Sequence, residues 1–369
     1  LSTLLPLMGL SGVVLYQSTD QPVMLLMPLL FIYVIIPLLD LLLGEDDSNP
    51  NESSMSQLEK QPFYSWILYL MLPLHFFTLY YVIDFMVSHS LSWWMYAILV
   101  FTLGVFGGLA VNLGHELGHK KNRLDKNLAK LALASGAYGH FNIEHNAGHH
   151  REVATPEDSA SARMGENIYQ FAVREIPGGL QRAWKIETRR LARQGKNWYS
   201  VDNQILHSYL MTVVIYALMT WVLGPEALFI LLLHVPVVWW QLTSANYVEH
   251  YGLLRAKQAN GTYERCEPWH SWNSNYLVSN LMLFHLQRHS DHHANVGRPY
   301  QVLRVMDKAP RLPLGYLNIL FVTLVPPLWR KIMHPIIEEF YDTADIVPYA
   351  LPGTLPERFV ERAVIADIK

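Results

Sequence analysis

The chain has 369 residues, 51% of them hydrophobic, 12% aromatic and 16% charged, with a net charge of −3 and a mean hydropathy of +0.13. So apolar and nearly neutral a composition argues for a membrane protein over a string of soluble domains, and against nucleic acid as a partner. A single cysteine, Cys266, excludes an internal disulfide, a cysteine-held iron–sulfur cluster and a four-cysteine iron centre, so electrons for any redox chemistry must come from outside the chain.

Residues 1–16 read as the remainder of an apolar span. The chain opens at Leu1 inside that run, without a basic region or cleavage site of a signal peptide, so residues ahead of it are expected. Further spans lie at 22–43, 63–86, 91–113, 204–223 and 225–248, each long enough at about 1.5 Å per residue to cross a hydrocarbon core of about 30 Å. Short turns at Gln17 to Gln21 and at Gly224-Pro225 join neighbouring spans into hairpins.

None of the 28 lysines and arginines lies in these six spans or in the turns at Gln17 to Gln21 and Ser88 to Ser90. All basic residues therefore fall on one face, which the positive-inside rule makes cytoplasmic. The expectation is an all-α integral membrane protein, six transmembrane helices with a cytoplasmic histidine-rich helical cap. It divides into 1–113 with a cytoplasmic loop 44–62, a cytoplasmic segment 114–203, a transmembrane hairpin 204–248 and a cap 249–369, working as one functional unit. The acidic loop 44–62 reads as mobile. Residues 179–196 have the basic amphipathic pattern of a surface helix, and Gly315 to Trp329, broken by Pro326 and Pro327, reads as an interfacial segment and not a seventh span.

Nine of the 17 histidines are clustered where this topology meets the cytoplasm: His115 and His119; His145, His149 and His150; His250; and His289, His292 and His293. His115 and His119 follow a span directly, so a helix running on would place them one turn apart as a chelating pair. Alone, His115-Glu116-Leu117-Gly118-His119 also matches the zinc-protease pattern, in which the glutamate activates water. The other two boxes, each a single histidine followed by an adjacent pair, weigh against that reading, because a catalytic zinc takes three protein ligands and has no use for six more. Nine imidazoles exceed the needs of one ion, so two metals are implied.

The wording of the boxes carries a resemblance. His115-Glu-Leu-Gly-His119, Glu144-His-Asn-Ala-Gly-His-His150, Asn246-Tyr-Val-Glu-His-Tyr-Gly252 and Leu286-Gln-Arg-His-Ser-Asp-His-His293 resemble the bacterial alkane 1-monooxygenase family within the membrane diiron desaturase and hydroxylase superfamily. The box centred on His250 distinguishes that branch. The resemblance implies terminal hydroxylation of medium- to long-chain n-alkanes by O2 at two iron ions ligated by the nine histidines. It also implies rubredoxin as electron donor, itself reduced by a rubredoxin reductase, and a place in the bacterial inner membrane with the site toward the cytoplasm. A relative acting on fatty acyl or alkyl-aromatic substrates is the nearest alternative.

Glu116, Glu144, Glu249 and Asp291 each adjoin a proposed ligand and are candidates to orient the rings, since a ligating imidazole usually donates its other N–H to a carboxylate or carbonyl. His140 and His285 lie close enough to the boxes to compete as ligands. The remaining six histidines lack partner spacing or fall inside spans. Lys120, Lys121, Arg123, Lys126 and Lys130 form a basic run beside the first box that suits an acidic electron donor, although the positive-inside rule accounts for it equally.

Overall fold

In the computed structural model, residues 2–342 and 346–360 are described; the rest of the expected cap, 343–345 and 361–369, lies outside them. The regular structure of the described residues is helical, with only isolated β-bridges beside the helices. Five helical stretches are long and apolar enough to cross a membrane. They are α2 (Pro22–Leu43, with 3-10 and π turns inside it), α3 (Pro62–Ser88), α4 (Trp93–Gly118), α8 (Gln204–Leu223) and α9 (Pro225–His250). The N-terminal run forms α1 (Leu5–Thr19), whose 15 residues extend about 22 Å and fall short of a full crossing.

Between α4 and α8 lie α5 (Arg123–Ser135), a helical run α6 over 141–152, and α7 (Ile168–Arg193). After α9 come α10 (His289–Ala294), α11 (Tyr316–Thr323) and α12 (Pro326–Asp342). α7 begins where Asn167 accepts from the Gln170 backbone and Gln170 answers through its side chain, a capping box that satisfies two otherwise orphaned donors. Residues 315–329, read from the sequence as too broken to span, split between α11 and the start of α12.

α4 is the central helix. Its glycines let α9 pack against its backbone: a Cβ on Gly108 would sit 2.6 Å from the Cβ of Gln241, and Gly104 and Gly107 face Val237 and Val238 as closely. This close approach aligns the C-terminal ends of α4 and α9, which carry His115, His119 and His250. A separate aromatic core, with Phe171, Tyr247, Tyr251, Trp272 and Trp329 all fully buried, ties α7 and α12 to the end of α9.

The loop 44–62 departs from the expectation of mobility. It forms a short helix, Glu52–Glu59, and is stitched to the tail: the Asp46 N–H donates to the Asn275 carbonyl at 2.8 Å, and Asn49 exchanges two hydrogen bonds with the Val305 backbone at 2.7 and 3.0 Å. The tail residues that receive these bonds are distant in sequence, so local polarity alone gave no sign of them.

One ion-pair knot beside this core makes a measurable contribution. Glu166 is buried and accepts two hydrogen bonds from Arg174, each 2.9 Å, and three from Arg163, from its guanidinium at 2.9 and 3.4 Å and its backbone N–H at 3.1 Å. Burial alone would raise its carboxyl, but the two guanidinium groups outweigh it and hold the group below the usual 4.5. The unfolded chain therefore binds a proton that the folded chain refuses as pH falls from 4.5 through the lower folded value, and stability is lost across that window. Thermal unfolding in detergent should show this acid-side loss in the wild type and a smaller one in Glu166→Gln. Equal acid slopes would refute the assignment.

Candidate metal centre

The C-terminal turn of α4 supplies His115, and His119 caps it. In α6 the residues His145–His149 form a π-helical turn, and α10 carries the last three histidines. The nine imidazoles fall into two compact groups: His115, His119, His145, His150 and His292 in one; His149, His250, His289 and His293 in the other. Within each group the ligand atoms lie within 4.8 Å of one another. The adjacent pairs His149-His150 and His292-His293 are divided between the groups, because consecutive helical residues point about 100° apart. Each such pair thus binds the two groups together.

In the first group the Nε2 atoms form a closed cycle. His115 to His119 is 3.3 Å, His119 to His145 3.1 Å, His145 to His150 2.9 Å, His150 to His292 3.1 Å, and His292 back to His115 3.1 Å. Hydrogen bonding cannot account for it. A neutral imidazole nitrogen is either donor or acceptor, and alternation fails around a cycle of five. Burial, with the neighbouring rings adding to it, pushes His145, His150 and His292 well below the usual imidazole range, so these rings are neutral, with lone pairs to offer. Two nitrogens about 2.1 Å from a shared ion and 90° apart are about 3 Å from each other, which is the observed spacing. The second group shows the same spacing in an open chain, with 3.2 Å from His149 to His293, 2.9 Å from His293 to His289 and 3.2 Å from His289 to His250. Both groups fit a metal ion.

His140 and His285 stand outside both groups. His140 Nδ1 meets the Tyr209 hydroxyl at 2.8 Å, and His285 sits in a left-handed turn at φ 54°. The four carboxylates chosen for adjacency have different surroundings. Glu116 accepts from the Tyr300 N–H at 3.4 Å; Asp291 engages Arg298 and the Arg304 N–H; and Glu144 lies 2.9 Å from Arg182. Burial, reinforced by Asp158 and only partly offset by Arg182, pushes the Glu144 carboxyl up to about 7. Glu249 alone of the four approaches a ring of the two groups, with Oε2 3.3 Å from His289 Nε2.

A fifth carboxylate orients a ring directly. Asp158 Oδ2 accepts from His149 Nδ1 at 3.0 Å and from the Ser161 hydroxyl at 2.7 Å, while Oδ1 takes the Arg182 guanidinium at 2.6 Å. Burial would raise this carboxyl, but His149 and Arg182 prevail and hold it well below the usual carboxylate range. Asp158 is nine residues from His149 and separated from it by a turn, so neither adjacency nor helical spacing marks it in the sequence.

Beside both groups lies a cavity, lined by His115, His145 and His289 among others. Its walls are a stripe of α4 from Val105 to His115, a stripe of α9 from Gln241 to Glu249, and residues including Ile32, Ile36, Met282, Leu317 and Leu320. The amides among them are turned to protein partners: Asn112 donates to the Leu283 carbonyl at 2.9 Å and Asn246 to Glu175 at 3.1 Å. Away from the histidines the cavity surface is mostly hydrocarbon, with Gln241, Glu249 and Tyr316 as polar members of the lining.

A helical bundle able to cross a membrane, with two adjacent polyhistidine groups at the mouth of an apolar cavity, defines the class of histidine-rich membrane metalloenzymes. A model of the fatty acid desaturase family matches residues 91–316, which hold all nine histidines. The chain is 48% identical over 335 residues to an alkane 1-monooxygenase of Pseudomonas putida, covering 91% of this chain and 83% of that protein. It is also 47% identical over 340 residues to alkane 1-monooxygenase 1 of Alcanivorax borkumensis, covering 92% and 84%. A xylene/toluene monooxygenase hydroxylase component of Pseudomonas putida is more distant, 26% identical over 217 residues, covering 59% of this chain and 57% of its own length. The chain belongs to the fatty acid desaturase family and, within it, to the alkane 1-monooxygenases.

Proposed function

We propose that this protein hydroxylates the terminal carbon of n-alkanes with O2 at two iron ions, one held by each histidine group. The observation that carries this reading is the meeting of nine convergent ring nitrogens with a cavity whose other walls are mostly hydrocarbon. Two bound iron ions would supply the oxygen activation and one-electron chemistry that no side chain of this protein provides. The protein's own part is to hold neutral imidazoles in place, exclude water and align the substrate.

An alkane has no polar handle, so alignment must come from shape. The α4 stripe rises ten steps from Val105 to His115, about 15 Å, and the α9 stripe eight steps from Gln241 to Glu249, about 12 Å. Carbon–carbon bonds of about 1.5 Å at tetrahedral angles advance about 1.25 Å per atom, so such walls house about ten carbons with one end at the nitrogens. Confinement along a tube favours attack on a terminal methyl over an internal methylene.

Rubredoxin, reduced by its reductase, is the electron donor in this reading. His119 is the partly exposed member of its group, and the exposed Lys121, Arg123 and Lys126 follow it, a basic edge suited to an acidic carrier. The basic residues all lie outside the candidate spans, which supports a cytoplasmic site in the bacterial inner membrane, with α1 contributing to a sixth crossing. Histidines from 114–203 and from 249–369 enter both groups, which supports treating the four segments as one functional unit.

Purified protein supplied with n-decane, 18O2, NADH, rubredoxin and its reductase should yield 1-decanol carrying one labelled oxygen, and should hold two irons per chain. A secondary alcohol, an alkene, or a single zinc per chain would overturn the reading.

A further inference from the structure

Glu249 is the one carboxylate that lines the cavity, and its two oxygens have unequal surroundings. Oε1 accepts a hydrogen bond from the Tyr316 hydroxyl at 3.1 Å. Oε2 has the His289 Nε2 atom 3.3 Å away, about the distance at which ring nitrogens of that group neighbour one another. Both side chains are almost wholly buried, at 3% and 2% exposure.

That contact cannot be a hydrogen bond in the working protein. His289 Nε2 belongs to the converging set, and a nitrogen that gives its lone pair to a metal carries no proton to donate. Two lone-pair-bearing atoms at 3.3 Å in a dry site repel each other unless a cation lies between or beside them. Other carboxylates near the centre have such a cation from the protein: Asp158 and Glu144 have Arg182, and Asp291 has Arg298 and Arg304. No lysine or arginine among the described residues pairs with Glu249. A buried carboxyl without a basic partner either keeps its proton or coordinates a metal, and the converging nitrogens 3.3 Å away favour coordination here.

The two groups also differ in number, five nitrogens against four. Glu249 is not one of the compact four, whose atoms all lie within 4.8 Å of one another; it stands at their edge, on the side of His289 and the cavity. We propose that Glu249 is an exchangeable carboxylate ligand of the ion held by His149, His250, His289 and His293, closing the one coordination side that faces the substrate cavity. The proposal rests on the dinuclear reading above. It makes the two ions inequivalent: the five-nitrogen site is closed by imidazole, whereas the four-nitrogen site is completed by a ligand that can withdraw toward Tyr316.

The test is metal retention in the purified full chain, read independently of turnover. Wild type, Glu249→Gln and Tyr316→Phe are dialysed against increasing EDTA and assayed for metal per chain, then reloaded with Co(II) and followed by its visible absorption. In Glu249→Gln one ion of the two should be lost at about 10-fold or more lower chelator concentration, with its Co(II) bands altered and the other ion's unchanged. Tyr316→Phe, which removes only the hydrogen bond to Oε1, should keep both ions. Retention of both ions by Glu249→Gln at wild-type chelator concentrations would overturn the proposal. So would loss of both ions together, or equal loss in Tyr316→Phe, since each would mark a packing role. Wild-type protein holding fewer than two ions would instead overturn the dinuclear reading itself.

Discussion

Replacing His250 with alanine is expected to reduce bound metal from two ions per chain toward one and to lower alkane hydroxylation more than about 100-fold, since loss of even a supporting group behind a ligand costs 10- to 100-fold. His250 ends α9, is fully buried, and brings the fourth nitrogen to its group at 3.2 Å from His289. His149, His289 and His293 remain in the variant, so the site keeps three nitrogens and loses affinity, while the five-nitrogen group is left intact. His140→Ala is the matched comparison. It removes a buried imidazole bound to Tyr209 outside both groups and should retain both ions. Metal analysis and product yield on the same preparations decide the matter: two ions in His250→Ala, or one in His140→Ala, would reverse the ligand assignment.

Much of this centre can be read from spacing, and the limits of that reading are physical. His115 and His119 are one α-helical turn apart and do share a group, because α4 continues as a regular helix through the box. The apolar stretch in the sequence ends near residue 113, but the helix runs on to Gly118, since backbone hydrogen bonding does not stop where hydropathy does. The same spacing rule misleads in the second box. His145 and His149 are also four apart and lie in a π-helical rather than α-helical turn, and they join different groups. Which member of an adjacent pair joins which group is a property of the three-dimensional crossing of α4, α6, α9 and α10, and no local pattern encodes it.

Second-layer groups were less legible for a related reason. Adjacency in sequence selects a side chain about 100° around the helix from its neighbour, which tends to point it away from the ion that the neighbour serves. Glu116, Glu144 and Asp291 accordingly meet a backbone amide or guanidinium groups, and the carboxylate found on a ring nitrogen's partner side, Asp158, comes from a separate turn. Cys266, by contrast, was informative by its solitude: it lies buried outside the histidine groups, and one thiol cannot hold a cysteine-ligated iron centre.

Arg182 is the residue whose loss should most disturb the frame of the site. Its guanidinium reaches Asp158 at 2.6 Å, Glu152 at 2.7 Å and Glu144 at 2.9 Å, so one cation serves three carboxylates. Asp158 is fully buried and Glu144 nearly so, and neither can turn to water when the guanidinium is removed. Arg182→Ala should therefore destabilise the protein by about 3–5 kcal/mol, the cost of stranding buried charge rather than the net worth of the ion pairs. The effect should reach the metal through Asp158. With Arg182 gone, its carboxylate loses the partner on Oδ1, and the His149 ring that Oδ2 orients loses its fixed direction. The expected result is a lowered thermal midpoint in detergent together with weaker retention of the four-nitrogen ion. Adding Glu144→Gln should recover part of the midpoint, because the Glu144 carboxyl must otherwise take up a proton once its cation is gone, whereas the retention defect should persist because Asp158 still lacks its partner. An Arg182→Ala protein with wild-type midpoint and metal retention would refute the account, as would a Glu144→Gln partner change that restores neither or both.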